Sequence, residues 1–376
     1  MYEDKSKKAI SILMLGNAHF VIFKFRKELV EKLVAEKYDL WVSFPNDSFG
    51  NGNKTAKEVG CSYMEVKIDR RGFNPFKDLH LLTEYIRIIK KINPNVVLCY
   101  TVKPDIYGSL ACQLLKIPYI MNITGLGKGL VENKFIKMIT RSLYKIVTPK
   151  AKCVFFQNTF DKNFFIKNHI NCSRSKLLPG SGVNLLDFKP IDYLGDTVIK
   201  FAFCARIMKT KGIDEYLETA SILKKKYRNQ VEFHVCGFCE DDYEDILKRY
   251  HSEGLIVYHH YLQNIKEMLS VCHCVVLPSF HPEGISNTLL EAAACARPII
   301  TTNRSGCREV VDDGVSGFLI RERDVEDLTN AIERFIRLDF IQKKNMGIAG
   351  RKKVEAEFDR NFVIEEYMKE IELAIK

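Results

Sequence analysis

No stretch of about eighteen apolar residues occurs, so no transmembrane helix is expected. The first eight residues are charged and lack the apolar region of a signal peptide. The fingerprint G-x-G-x-x-G is missing, so the opening strand–turn–helix pattern does not indicate a dinucleotide. No D-x-D stands at a plausible strand end; Asp241-Asp242 and Asp312-Asp313 read as helix-start and turn residues, and no metal is expected. Zinc fingers, RNA-binding aromatic signatures and helix-turn-helix patterns are also absent, so nucleic acid is not the expected partner. No internal repeat or low-complexity tract appears.

What is present fits two domains of ordinary size: 376 residues, 46% hydrophobic and 28% charged. The formal net charge of +10 directs attention to nucleotide phosphates or anionic lipid. Twelve cysteines are scattered through strand and helix patterns. Cys99, Cys153, Cys204 and Cys274 lie in apolar runs as buried thiols, which suits a reducing cytoplasm. Cys236, Cys239, Cys272 and Cys274 have spacings that zinc sites use, but Cys236 and Cys274 fall inside strand patterns, where a ligand is hard to present.

Strand patterns at Ala9–Leu15, Leu40–Phe44, Ser62–Ile68, Val96–Tyr100, Tyr119–Ile123, Val154–Gln157 and Lys176–Pro179 alternate with helical ones, including Phe20–Glu36 and Glu132–Thr148. Asp187–Asp196, with Pro190 and Gly195, reads as the domain linker. A second series begins at Lys200–Ala205 and continues through Val231–Cys236, Leu255–Leu262, Val275–Leu277 and Ile299–Thr301. The fold class is therefore α/β, with two Rossmann-like domains and a cleft between them. The expected boundaries are 1–190, 191–358 and a closing helix within 359–376.

The stretch from Val275 to Leu319 is the most informative. A buried strand ends at Pro278, a loop follows, and Ser286 or Asn287 can cap a helix. Parallel sheets bind ligands beyond the carboxyl ends of their strands, and helix starts favour anions. Gly284, Ile285, Ser286, Asn287 and Thr288 therefore form a candidate phosphate seat. Glu283 and Glu291 have the chemistry to hold sugar or ribose hydroxyls; spacing alone equally allows a loop charge and a solvated helix residue. Arg206 ends a strand and Lys211 precedes a helix, and both suit a diphosphate. Lys103 stands at the end of the fourth strand, and Arg70 and Arg71 form a basic pair that either meets an acceptor phosphate or is solvated.

Glu283 and Glu291 form E-x7-E within E-G-I-S-N-T-L-L-E-A, and Arg206 and Lys211 form R-x4-K within A-R-I-M-K-T-K-G-I. With G-V-S-G-F-L after them, these motifs resemble the retaining glycosyltransferases of family four, which have the GT-B fold. The resemblance covers nearly the whole chain and is firmest from Lys200 onward. It implies transfer of a hexosyl or N-acetylhexosaminyl group from a UDP-sugar, with Arg206, Lys211 and Glu283 at the reacting centre. It also implies donor contacts from Gly16, from the backbone near Leu262 and from Glu291, and no metal or other cofactor. Relatives place a histidine near the loop that here reads N-I-T-G-L-G, so a histidine-assisted step is not implied. The G-L-G loop resembles members acting on surface polysaccharides and lipid-linked glycans. A sugar-nucleotide epimerase and a non-catalytic sugar-nucleotide-binding subunit are the alternatives.

In Glu132–Thr148, Lys134, Lys137, Arg141 and Lys145 share one arc, and Phe135, Ile139, Leu143 and Ile146 the opposite one. This arrangement suits either a core helix with a solvated basic face or a helix on an anionic membrane. The expectation is a cytoplasmic protein held peripherally on the inner face of the plasma membrane, with a lipid-linked acceptor.

Overall fold

The computed structural model describes residues 9–46, 50–70, 72, 74–126, 134–195 and 197–376, with the backbone alone at 134 and 135. Arg71 and the start of the Glu132–Thr148 pattern lie outside these residues, as does the Lys134 side chain. The chain divides into two compact units: Met1–Ser181 with Val363–Lys376, and Gly182–Phe362.

The first unit is built on a seven-stranded parallel sheet. Its strands are β1 (Ser11–Leu15), β2 (Asp39–Phe44), β3 (Ser62–Glu65), β4 (Val96–Tyr100), β5 (Tyr119–Ile123), β6 (Cys153–Phe156) and β7 (Ser175–Leu177), in the order 3-2-1-4-5-6-7. Continuous apolar runs such as Ser11–Leu15 and Val96–Tyr100 are buried along their whole length, as expected where helices cover both faces. One face packs the helices Pro75–Ile92, Ser109–Leu115 and Lys134–Val147 through Leu81, Tyr85, Ala111, Tyr144 and Val147. The other packs the last helix, Arg360–Ile375, through Val363, Tyr367, Met368 and Ile371. The Tyr367 ring lies 4.7 Å from Phe155, Glu370 pairs with Arg174 at 2.8 Å, and Lys176 reaches both Glu366 and Glu370.

The expected helix Phe20–Glu36 is two helices, His19–Phe23 and Lys27–Ala35. The break falls at Arg26, whose buried side chain turns inward. Its Nη1 donates to the Val21 carbonyl at 2.9 Å, and its guanidinium lies 4.2 Å over the Tyr100 ring. The helix leading to Lys116 begins as a single π turn, Pro104–Gly108.

The second unit holds β8 (Ile199–Cys204), β9 (Val231–Cys236), β10 (Val257–Tyr258), β11 (Cys274–Leu277), β12 (Ile299–Thr302) and β13 (Gly317–Ile320), ordered 10-9-8-11-12-13. Strand β10 is shorter than the expected Leu255–Leu262. It pairs with β9 only at Val257 and Tyr258, and His260 then turns into the left-handed region at φ +54°.

The expected linker Asp187–Asp196 is correspondingly fastened to this unit. Arg297, fully buried, donates to the carbonyls of Leu269, Ile191 and Asp192. Arg351 donates to those of Phe188 and Ala294. The division between units falls earlier, at Ser181–Gly182, because the backbone of Val183 bonds to Phe358 and Arg360.

Candidate active site

In the second sheet the strand order reverses between β8 and β11, the point where such sheets take ligands. Arg206 follows β8, and the turn Lys209–Lys211 and the helix Ile213–Tyr227 come after it. Gly212 closes that turn at φ +82°, where a Cβ would lie 2.2 Å from the Pro278 carbonyl oxygen. The close approach brings Lys211 against the loop that follows β11.

There, Lys211 Nζ sits 2.6 and 2.7 Å from the two carboxylate oxygens of Glu283. The side chains are 7% and 18% exposed, so the pair is screened little by solvent. Burial acts to raise the Glu283 carboxyl, but the charge and hydrogen bonds of Lys211, with the charge of Arg206, outweigh it and hold it below its ordinary value. Ser279 Oγ donates to Glu283 Oε1 at 3.3 Å.

The loop is fixed from both sides. Phe280 N donates to the Thr210 carbonyl at 2.9 Å, and Thr302 Oγ1 donates to the Ser279 carbonyl. Gly306, at φ +94°, lets a second backbone segment reach the Glu283 and Gly284 carbonyls; a Cβ there would stand 2.8 and 2.9 Å from them.

The helix Asn287–Ala294 starts directly beyond, with Ser286 at its N-cap. The Ser286 side chain does not cap it, and the Ser286 amide donates to the Gly306 carbonyl at 2.8 Å. A helix start without a side-chain cap keeps its dipole available to an anion. Gly284 and Ile285 are buried, Asn287 and Thr288 half-buried, and Glu291 lies buried one turn further in.

Two residues that the motifs do not contain complete the cluster. Glu240, after β9, takes Arg206 Nη1 at 2.6 Å, and His281 Nε2 lies 3.5 Å from Arg206 Nη2. Their position at neighbouring strand ends is the one signal the sequence offers for them.

The other expected residues stand as follows. Leu262 is half-buried against the core of the second unit. Gly16, in the first unit, ends β1 and donates its amide to the Ser43 carbonyl at 2.9 Å. Lys103 pairs with Asp78 at 2.6 Å, and Tyr107 donates to the same carboxylate at 3.1 Å. Arg70 is exposed and lies 5.3 Å over the Phe20 ring. Lys137 stands 5.5 Å from the Phe164 ring, Arg141 is half-buried, and Lys145 is exposed.

On the helix Lys134–Val147, the buried positions are Thr140, Tyr144 and Val147; of the expected apolar arc, Leu143 packs partly against the core, whereas Ile139 and Ile146 do not, and the Phe135 side chain lies outside the described residues. Met138, Ile139 and Ile146 are instead 56%, 42% and 52% exposed. Among the described residues no helix is long and apolar enough to cross a membrane, and no group of three or more His, Cys, Asp or Glu is placed to hold a metal ion.

Two parallel sheets of one strand order, the second carrying Arg206, Lys211 and Glu283 at its ligand end, define a GT-B glycosyltransferase. The chain belongs to these enzymes. The family described as "Glycosyl transferases group 1" matches residues 191–353, and that described as "Glycosyl transferase 4-like" matches residues 11–158. Among relatives, the chain is 24% identical over 380 residues to the N,N'-diacetylbacillosaminyl-diphospho-undecaprenol alpha-1,3-N-acetylgalactosaminyltransferase of Campylobacter jejuni, covering 96% of this chain and 98% of that one. It is 23% identical over 332 residues to the Escherichia coli UDP-Gal:alpha-D-GlcNAc-diphosphoundecaprenol alpha-1,3-galactosyltransferase, covering 81% and 84%. The fold is shared with Anabaena HepE, whose crystal structure is in complex with UDP and glucose: TM-score 0.78, 15% identity, 96% of this chain and 99% of that one.

Proposed function

We propose that the protein transfers a hexosyl or N-acetylhexosaminyl group from a UDP-sugar to a polyprenyl-diphosphate-linked glycan, with retention and without a metal ion. The observation that carries this reading is the cluster of Arg206, Lys211 and Glu283 beside the helix start at Ser286. In the reaction the bond from the anomeric carbon to the diphosphate oxygen breaks. The acceptor hydroxyl oxygen bonds to that carbon, and UDP and a proton are released. Negative charge grows on the leaving diphosphate, where Arg206, Lys211 and the helix start stabilise it, in the place of a cation. Glu283 holds donor-sugar hydroxyls, and Glu291 the ribose. The acceptor class is supported by the two relatives named above, both of which act on undecaprenyl-diphosphate-linked sugars.

The protein works at the cytoplasmic face of the membrane without spanning it. The support is the exposed face of the helix Lys134–Val147, where Met138, Ile139 and Ile146 accompany Lys145. A lysine at an anionic surface contributes about 1 kcal/mol. Replacing these four by Ser, Ser, Ser and Gln should abolish co-sedimentation with anionic liposomes at low salt; unchanged binding would place the contact elsewhere.

The deciding experiment incubates the protein with labelled UDP-sugars and lipid-linked acceptors in EDTA. Release of UDP only with acceptor, and a product of the donor's anomeric configuration, is the expected result. Conversion of the free donor would mark an epimerase, and binding without either change a non-catalytic subunit. Loss of activity in EDTA that magnesium restores would overturn the metal-free reading.

A further inference from the structure

We propose that His281 is a positioning residue for Arg206: a neutral imidazole whose bare Nε2 aims the guanidinium at the diphosphate seat. This rests on the glycosyltransferase reading above and assigns a role to a residue outside the R-x4-K and E-x7-E motifs.

The hydrogen bonds fix the tautomer. Arg206 Nη2 lies 3.5 Å from His281 Nε2, and a guanidinium has donors only, so Nε2 must be the acceptor. The ring hydrogen then sits on Nδ1, which donates to Thr210 Oγ1 at 2.9 Å. At 3.5 Å the Arg206 contact is long, as contacts of reacting sites are before a ligand tightens them. The guanidinium is thus approached at two nitrogens from two loops. Glu240 takes Nη1 from the end of β9, and His281 faces Nη2 from the end of β11. The ring is itself held, because the His281 amide donates to Ser279 Oγ at 3.2 Å and the Phe280 amide to the Thr210 carbonyl.

A neutral acceptor suits this position. A second carboxylate beside Arg206 would cancel the charge that the leaving diphosphate needs, whereas imidazole fixes direction and leaves the charge in place. The charged groups around the ring come from every neighbouring element. Arg206 follows β8, Lys209 and Lys211 lie in the turn Lys209–Lys211, Glu240 and Asp241 follow β9, Glu283 is on the ring's own loop, and Arg323 lies 4.3 Å over the neighbouring Phe280 ring. A proton on Nε2 would remove the acceptor and set a further cation against Arg206.

The test compares the parent, His281→Gln and His281→Ala by UDP release with acceptor, as kcat and donor KM across pH, with thermal melting as a folding control. Glutamine can place an amide oxygen near the Nε2 position and does not titrate. His281→Ala should lower kcat about tenfold or more while donor KM changes less than about threefold. His281→Gln should recover to within about threefold of the parent at neutral pH. It should also lose the acid limb of the parent's kcat profile, the fall that protonation of an imidazole acceptor produces and a glutamine amide does not. Alanine turnover like the parent's overturns the proposal. So does a glutamine variant no better than alanine, or one that keeps the acid limb. Failure of the parent itself to release UDP would sink the glycosyltransferase reading, and this inference with it; an active parent with insensitive variants sinks the inference alone.

Discussion

Both units order their strands alike about the strand that comes first in the chain, β1 or β8, yet they differ at the strands' carboxyl ends. In the second unit the polar side chains there meet each other: Lys211 with Glu283, Arg206 with Glu240, His281 with Thr210. In the first, several buried polar atoms have no hydrogen-bond partner among the described residues: Thr101 Oγ1, Asp105 Oδ2, Arg26 Nε and Asn17 Oδ1. Thr101 also holds φ +75°, a costly conformation for a β-branched residue, and the π turn starts three residues later. Side chains that already hold one another need little reorganisation when charge develops, which is what electrostatic catalysis requires. At its strand ends the first unit instead keeps polar capacity that its own side chains do not satisfy, Thr101 Oγ1 and Asp105 Oδ2 above all.

The largest expected effect tests the paired side. Lys211→Ala or Arg206→Ala should lower turnover about a hundredfold, since one preorganised donor is worth about 3 kcal/mol. Lys211→Ala should also melt earlier, because it leaves the Glu283 carboxylate partly buried without its cation. Turnover near the parent's in either variant would show that the pairing is structural only.

A smaller effect sharpens the roles within the cluster. Glu283→Gln should mainly lower kcat, about tenfold, and Glu291→Gln should mainly weaken UDP affinity by a similar factor, because ribose contacts are alike before and during reaction. UDP titrations of both variants check this; equal losses of affinity would merge the two roles.

The smallest effect sets the two units against each other through pH. Glu283 stands below its ordinary value, so its contribution to stability is present above the ordinary glutamate range and is lost as pH falls through the lower folded value. Burial pushes the Asp105 carboxyl well up, against the Asn122 amide and Arg26, so its contribution is present at low pH and is lost as pH rises. Asp105→Asn should therefore gain about 1 kcal/mol over the parent as pH rises from acid to neutral, whereas the deficit of Glu283→Gln should shrink as pH falls. Thermal melts across pH decide it; parallel curves would mean that the two carboxylates do not differ in this way.

The residues at the centre of the second unit were legible because they lie close in sequence, in two short motifs on the ends of recognisable strands. Glu240 and His281 were not, since they meet Arg206 across 34 and 75 residues and no spacing rule links them. The segment around Pro190 carries real turn signals, but those signals describe backbone shape. Arg297 and Arg351 hold its carbonyls from more than a hundred positions away, so it belongs to a domain rather than to a joint. Likewise the period of Lys134–Val147 showed two arcs and could not say which one the sheet covers. Tyr144 and Val147 decide that by packing into the core, which turns Ile139 and Ile146 outward.

The return of Val363–Lys376 to the first unit has a consequence for biogenesis. On the ribosome the strands of that unit emerge first, but the segment carrying Tyr367 and Ile371, which close one face of its sheet, begins at Val363, 182 residues after Ser181. At about 5–20 residues per second this interval lasts about 10–40 s. Throughout it the contiguous second unit is free to fold, while Phe155, Leu98 and their neighbours wait without the helix that covers them. A nascent chain stopped at Phe362 should accordingly yield a protease-resistant second unit and a sensitive first one. The half of the protein that is translated first is completed last, and the unfinished sheet is the surface a chaperone would meet.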